Sequence, residues 1–329
     1  MSRFAQNMTT RRYNPPCLFR QAINQLFIPM LIASLVFCLI LIVCFAAGWY
    51  FSDQVIAVRS FTIEETYQCE VDCGKLIPAD WEALTRQEVR IASPFGYELH
   101  GFFIPVKSAR GTVIITHGIT FSLYGSVKYI DLFRKRGWNV LLYDHRAHGQ
   151  SGGHFKTYGF YEKDDLNAWT DWVSSRGEVV AVMGESYGAA VALQAAPLIP
   201  DIAFIVADCA YSDLPSLMKY HLKHNYHLPA FPLYHLSNLV TRLRAGFFYE
   251  QVNPLKAIAA LTTRIPILFT HGEQDDFTPT QMSIDMYTAY LGPKRLYLSP
   301  GAGHGLAFWT HPVEYDEQVK EFLKENSLA

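Results

Sequence analysis

Residues 179–196 read VVAVMGESYGAAVALQAA and contain the pattern Gly-x-Ser-x-Gly around Ser186. Apolar, β-branched residues precede the pattern and an alanine-rich run follows it, so the stretch predicts a buried strand, a sharp turn and a helix. A serine on such a turn has a strained backbone that exposes its hydroxyl, an arrangement known as a nucleophile elbow. Because the pattern also occurs by chance, the rest of the chain has to supply the partners that a nucleophilic serine needs.

Short apolar segments alternate with helical patterns from about residue 90 onward. This alternation predicts an α/β fold with a mostly parallel central sheet flanked by helices. Residues 212–252 break the alternation and are rich in aromatic residues, leucine and histidine. We expect them to form a helical cap over a pocket, with apolar side chains that favour an acyl or aromatic group. The side chains that suggest this pocket are Phe231, Leu233, Tyr234 and Phe247.

Two late loops can supply the base and the acid that activate a serine. His304 lies in the glycine-rich loop GAGHG after a predicted strand and is our candidate base, with His311 as the nearest alternative. The acid is expected between the serine and the histidine in chain order. Asp275 and Asp276 are adjacent in the loop EQDD, and Asp208 ends an earlier strand. We favour Asp275, which lies four residues after His271. A carboxylate in this role would hold the imidazole in one tautomer and stabilise its charged form.

Backbone N–H groups near the serine are candidates for stabilising a developing oxyanion. The residue after the nucleophile, Tyr187, provides one such group. The loop after an early strand, THGIT, provides the other, and Ile119 next to Gly118 is our choice. His117 in the same loop is interpreted as structural. Backbone donors suit this role because they are oriented before the charge develops.

Five motifs together resemble the α/β-hydrolase family of serine hydrolases. They are THG, YDHRAHGQSGG, GESYG, HGEQDDFTP and GAGHG, in the order that the family shows, over about 240 residues from Arg90 onward. The chain is most similar to membrane-anchored bacterial hydrolases of the cinnamoyl-esterase and acyl-peptidase-like group. The resemblance implies that Asp275 is the acid and His304 the base, and that Asp144 and Arg146 are structural. Ala147 stands where this family usually has glycine.

Residues 26–51 are uncharged and predict a membrane-spanning helix, since about 20 apolar residues cross a bilayer. A cleaved signal peptide is the alternative, but its apolar region is shorter, about 7–15 residues. Positive charges predict a cytoplasmic N-terminus over residues 1–25 and a hydrolase domain outside the cell. The charges are Arg3, Arg11, Arg12 and Arg20 before the span, against Arg59 alone in the fifteen residues after it.

The remaining organisation is a stalk over residues 52–88 and a hydrolase domain over residues 89–329, which includes the cap. Cys69 and Cys73 form a close pair, for which a disulfide, free thiols and half of a metal site all stay open. The cap carries four histidines that could also suggest a metal cluster, although no acidic or thiol ligand completes it. These histidines are His221, His224, His227 and His235.

The formal net charge is −2, which gives no electrostatic support for nucleic-acid binding. The sequence thus predicts an anchored serine hydrolase that cleaves a small-molecule carboxylic ester, with the residues Ser186, Asp275 and His304. We expect neither a metal nor an organic cofactor, and no obligate protein partner is evident. A serine peptidase or amidase would use the same residues, and a non-catalytic binding module of the same fold is a third reading.

Overall fold

A computed structural model describes residues 15–199, 201–262 and 264–328. The chain divides into two compact units after Ala47. The first unit consists of most of one long helix, α1 (Pro15–Ile56). Residues Phe27–Ile56 of this helix are long and apolar enough to cross a membrane, and a signal sequence at the same place would share these properties. The arginines at positions 3, 11 and 12, which predict the orientation, lie outside the described residues.

The second unit is built on an eight-stranded sheet with helices on both faces. The strand order is β1-β2-β4-β3-β5-β6-β7-β8. The first two strands pair antiparallel with their neighbours, and the six from β3 to β8 run parallel to one another. This architecture confirms the predicted α/β fold. The strands are β1 (Gln87–Ala92), β2 (Glu98–Ile104), β3 (Thr112–Thr116), β4 (Asn139–Tyr143), β5 (Val180–Glu185), β6 (Ile202–Asp208), β7 (Ile267–Gly272) and β8 (Lys294–Ser299).

Eleven further helices, counted over the described ranges, surround the sheet. Short 3₁₀ segments at Leu123–Tyr129, Ala196–Leu198 and Tyr249–Gln251 complete the connections. The helices are α2 (Ile63–Asp72), α3 (Pro78–Ala83), α4 (Ile130–Arg134), α5 (Glu162–Ser174), α6 (Tyr187–Ala195), α7 (Leu214–His224), α8 (Leu233–Ala245), α9 (Pro254–Ala259), α10 (Gln281–Ala289), α11 (Ala307–Thr310) and α12 (Pro312–Glu325).

The central strands are buried on both faces, because successive side chains point to opposite sides of a sheet. Ile114 of β3 belongs to the core cluster that includes Trp169 of α5. Its neighbour Ile115 belongs to the cluster on the other face, with Phe133 of α4 and Phe322 of α12. This two-sided burial explains why these strands are continuous apolar runs in the sequence.

Residues 52–88, predicted as a polar stalk, lie within the same compact unit as the sheet. The last turns of α1 pack on α8. A Cβ added to Gly48 would lie 2.9 Å from the carbonyl oxygen of Leu236, so only glycine permits this close approach. The buried hydroxyl groups of Ser52 and Thr241 are 2.9 Å apart. The segment predicted as a stalk also contains α2 and α3, and the edge strand β1 begins at its end, at Gln87.

The insertion over residues 212–252 contains α7, α8 and the last 3₁₀ segment. Of the four apolar side chains expected to line a pocket, only Tyr234 does so. Phe231 is 74% exposed and Phe247 is fully buried, where its ring stacks on Phe160. Helical periodicity identifies an apolar face, but it does not tell which neighbour covers that face.

Candidate active site

The elbow holds Ser186 between β5 and α6 in a left-handed backbone conformation, with φ 55° and ψ −114°. The two flanking glycines allow the turn. A Cβ on Gly184 would lie 2.4 Å from the backbone nitrogen of Ala189, and one on Gly188 would lie 2.3 Å from the carbonyl oxygen of Thr116. The turn therefore has no room for a side chain at either glycine position.

Replacing Gly188 with alanine is expected to destabilise the protein, because the new Cβ meets backbone that cannot rotate away. Overpacking of this kind costs about 1–3 kcal/mol or more. The measurement is the urea midpoint of the detergent-purified protein. Gly303→Ala is the matched control, since a Cβ there meets only Leu306 Cδ1 at 3.8 Å. Equal midpoints for the two variants would contradict this account of the elbow.

A continuous hydrogen-bonded chain connects Ser186 to the loops after β7 and β8. The Oγ atom of Ser186 is 2.8 Å from Nε2 of His304. The Nδ1 atom of His304 is 2.7 Å from Oδ2 of Asp275. The structure therefore brings together the three side chains that the sequence predicts as nucleophile, base and acid.

The Asp275 carboxylate is fixed from several sides. Its Oδ1 accepts hydrogen bonds from the backbone N–H groups of Phe277 (2.9 Å) and Thr278 (2.8 Å). Its Oδ2 lies 3.0 Å from Nε2 of His271. Burial opposes ionisation, but the hydrogen bonds from His271 and His304 outweigh it and hold the pKa of Asp275 well below its usual range. The residue is therefore a carboxylate at neutral pH.

The alternative residues occupy other places. Asp276 is exposed, and its backbone carbonyl accepts a hydrogen bond from the hydroxyl of Tyr220. Asp208 is buried at the end of β6, where its Oδ2 accepts a hydrogen bond from Tyr315 at 3.2 Å. His311 lies 2.9 Å from the carbonyl oxygen of Pro300. The backbone carbonyl of Asp208 does accept a hydrogen bond from the N–H of Ser186 at 2.7 Å, but none of the side-chain contacts named here reaches the Ser186 hydroxyl.

The loop after β3 approaches the elbow closely. A Cβ added to Gly118 would lie 4.0 Å from the Cβ of Ser186. Ile119 and Tyr187, the two residues predicted to donate backbone N–H groups, line the same cavity as Ser186. One N–H group therefore comes from the loop after β3 and the other from the first residue of α6, and both residues line the cavity that contains Ser186.

Three buried imidazoles contact this loop or pack against one another beside it. Nε2 of His148 accepts a hydrogen bond from the backbone N–H of Thr120 at 3.3 Å, and Nδ1 of His117 donates to the carbonyl of Gly118 at 2.8 Å. The ring of His145 packs on the ring of His117 at 4.7 Å. Burial lowers the pKa of all three imidazoles, so they are neutral in the folded protein.

Because these three imidazoles are buried and neutral, we expect the protein to become less stable as the pH falls. In the unfolded chain a histidine binds a proton near pH 6.5, whereas the folded state resists protonation. The unfolded state therefore binds more protons below about pH 6.5, and the free energy of unfolding should decrease as the pH falls from 7.5 to 5. His145→Asn should reduce this decrease, whereas the exposed control His154→Asn should keep it. An unchanged pH dependence in His145→Asn would refute the assignment.

The residue before the nucleophile belongs to a buried polar cluster. The Oε2 atom of Glu185 accepts from Lys128 Nζ at 2.6 Å and also from the hydroxyl of Tyr129. Burial opposes both charges. Nevertheless the ion pair lowers the pKa of Glu185, and Glu185 with Glu70 raises that of Lys128. The wall of the site beside Ser186 is therefore charged, which no motif in the sequence indicates.

A cavity of about 460 Å³ opens on Ser186 and His304. Its lining includes His221 from α7 and Phe277, whose ring lies 4.6 Å from that of His221 and 4.8 Å from that of His304. Burial, with a smaller effect of His304, lowers the pKa of His221 to about 4. The sequence placed His221 in the predicted cap and left a metal cluster as an alternative, and the structure places it in the wall of the cavity as a neutral imidazole.

Comparison with known proteins agrees with this architecture. The family model described as serine aminopeptidase, S33 (Hydrolase_4) matches residues 107–225. The uncharacterized protein YqkD of Bacillus subtilis is 34% identical over 283 residues, which cover 84% of this chain and 92% of that protein. The chain belongs to the α/β-hydrolase family.

Solved structures of other α/β-hydrolases superpose on the chain. Esterase Pf2001 of Pyrococcus furiosus has 27% sequence identity and a TM-score of 0.62, and the match covers 76% of this chain and 94% of that one. The α/β-hydrolase GrgF from Penicillium sp. sh18 has 19% identity and a TM-score of 0.59, with coverage of 73% and 100%. The second likeness concerns the fold alone, while the first supports a hydrolase related to esterases.

One group among the described residues offers three potential metal ligands within 4.8 Å of one another, namely Cys209, Asp275 and His304. Two of these already pair with each other in the hydrogen-bonded chain from Ser186. Burial also raises the pKa of the Cys209 thiol well above its usual range, which disfavours the thiolate that binds metals. The arrangement in this hydrolase therefore fits proton transfer better than metal binding. Cys69 and Cys73 are free thiols.

Proposed function

We propose that the protein is a serine hydrolase that cleaves carboxylic esters through an acyl-enzyme. The hydrogen-bonded chain from Ser186 through His304 to Asp275 carries this proposal, because a hydroxyl becomes a competent nucleophile only beside an oriented base. The similarity to an esterase of 27% identity favours an ester over other acyl compounds.

The reaction proceeds in two halves on these residues. His304 Nε2 takes the proton from Ser186 as Oγ bonds to the acyl carbon, and the oxyanion accepts hydrogen bonds from the backbone N–H groups of Ile119 and Tyr187. The intermediate collapses, the C–O bond to the alcohol breaks, and the alcohol leaves with the proton from His304. Water then loses a proton to His304 and attacks the acyl-enzyme. The acid is released and Oγ regains its proton, while Asp275 remains ionised throughout.

The second candidate is an amidase or peptidase, which the description of the matching family model favours. The same residues would act, with an amine as the leaving group. Comparing p-nitrophenyl butyrate with alanine p-nitroanilide separates the two candidates. An esterase should have a kcat/KM for the ester that exceeds the anilide value by more than about 10³-fold, whereas values within about tenfold favour the peptidase. A wild-type protein that hydrolyses neither and resists a fluorophosphonate probe would be a binding module.

We assign residues 26–51 as an uncleaved membrane anchor, with the N-terminus in the cytoplasm and the hydrolase domain outside. The length and apolar composition of the helix over Phe27–Ile56 support this assignment. Intact mass of the membrane-extracted protein tests cleavage, because a signal peptide would be missing from the mature chain. Protease added to intact spheroplasts tests the orientation, since only an outward domain would be digested.

A further inference from the structure

The cavity at Ser186 has walls of two kinds. One wall is apolar and comes from the end of α1, from α7 and from α8. The other carries ionisable side chains from α2 and from the 3₁₀ segment Leu123–Tyr129. A volume of about 460 Å³ lies within the range of about 300–1,000 Å³ typical of pockets that enclose a small organic ligand.

The apolar wall contains residues from the last turns of α1 and from the segment just after it. Phe51, Val55 and Val58 all line the cavity. The ring of Phe51 packs against Tyr226, which follows α7 in the cap, with ring centres 5.3 Å apart. Val55 is 4% exposed. The last turns of α1 and the residues that follow it therefore form part of the pocket wall.

The docking of this segment is held by polar contacts with the cap. Arg244 of α8 forms an ion pair with Asp53 at 2.7 Å and lies 3.9 Å above the ring of Trp49. The backbone N–H of Lys156 donates to the carbonyl of Ile56 at 3.1 Å. The wall is therefore fixed in position relative to Ser186.

The polar wall contains a buried carboxyl oxygen that lacks a partner. Glu70 is 3% exposed, lines the cavity, and its Oε2 has no hydrogen-bond partner among the described residues. Lys128, whose Nζ pairs with Glu185, lies on the same wall. A buried polar atom without a partner is costly, and a hydroxyl group of a ligand would satisfy it.

The geometry points to an amphiphilic ester as the substrate, with its acyl chain along residues 51–58 and a hydroxyl-bearing alcohol at Glu70 and Lys128. This inference rests on the proposed function and specifies its substrate class. The ester carbonyl would lie at Ser186, which lines the same cavity as the residues of both walls. The acyl group is covered by apolar side chains, and the departing alcohol leaves from the charged side.

The acyl end is tested with p-nitrophenyl esters of increasing chain length and the full-length protein in detergent. Wild type should have a kcat/KM for the dodecanoyl ester about tenfold or more above that for the acetyl ester. Val55→Trp should reduce this ratio by about tenfold. Phe51→Ala, which adds no bulk, should also reduce it. Val313→Trp is the matched control, because Val313 is 75% exposed and should keep the wild-type ratio.

The alcohol end is tested with a dodecanoyl ester of glycerol. Glu70→Gln should lower kcat/KM for this ester about tenfold more than for the p-nitrophenyl ester, which has no hydroxyl group to bond. The control is Glu64→Gln, an exposed residue on the same helix. Equal effects of Glu70→Gln on the two esters would overturn the assignment of the alcohol end.

The substrate could come from a membrane or from solution. To separate these two sources, the enzyme is reconstituted in lipid vesicles, and the glycerol ester is supplied either within the same vesicles or dissolved in the buffer. Faster hydrolysis in the vesicles supports a membrane lipid, and faster hydrolysis in buffer supports a soluble amphiphile. Wild type that hydrolyses only acetyl esters would overturn this inference and leave the proposed function intact. Wild type that hydrolyses no ester would overturn both.

Discussion

Replacing Ser186 with alanine should lower kcat for ester hydrolysis by about 10⁴–10⁶-fold, the loss typical of removing the nucleophile from a serine hydrolase. The variant lacks the Oγ that lies 2.8 Å from Nε2 of His304, so no acyl-enzyme can form. Alanine adds no atom to the turn, and its fold should persist. The decisive measurement is kcat with p-nitrophenyl butyrate, together with the intact mass after treatment with a fluorophosphonate.

The control for this variant is Ser174→Ala, which removes an exposed hydroxyl at the end of α5. It should retain wild-type turnover and gain the mass of one fluorophosphonate adduct, whereas Ser186→Ala should gain none. Activity of Ser186→Ala within tenfold of wild type would show that another group carries the acyl chemistry. Labelling of Ser186→Ala at full stoichiometry would lead to the same conclusion.

The sequence predicts best those elements whose residues are all buried to the same extent. The strand β3 is buried along its whole length, so its apolar composition suffices to identify it. The elbow at Ser186 is recognisable because its pattern of glycines is local in sequence, although a Cβ on Gly188 would meet the backbone of Thr116 on β3. The edge strand β1 was missed, since two of its six residues are charged and only Val89 is buried.

The parts that the sequence did not predict depend on contacts between distant segments. Residues 48–56 carry the same apolar pattern whether a helix ends in a membrane or docks on a neighbour. The docking becomes visible only through α8, where Thr241 meets Ser52. Glu70 and Lys128 are likewise 58 positions apart, as the numbering shows, and nothing in either local sequence indicates that both line one cavity.

The choice between the two adjacent aspartates is a similar case, because neighbouring side chains in a turn point in different directions. In the structure Asp275 is buried and 2.7 Å from His304, while Asp276 is exposed. Two backbone N–H groups hold one oxygen of Asp275, so the other oxygen faces the imidazole. Substitution of the two residues should therefore change kcat by amounts that differ by orders of magnitude.

Asp275→Asn should reduce kcat about 10⁴-fold, whereas Asp276→Asn should change it by less than about threefold. The asparagine oxygen can still accept from the N–H groups of Phe277 and Thr278, and this leaves the amide NH₂ facing Nδ1 of His304. The imidazole then has to accept at Nδ1 and carry its proton on Nε2, the atom that must take the proton from Ser186. The comparison of kcat for the two variants measures this effect. A loss confined to Asp276→Asn would reassign the acid, and equal small losses would mean that His304 needs no carboxylate to hold its tautomer.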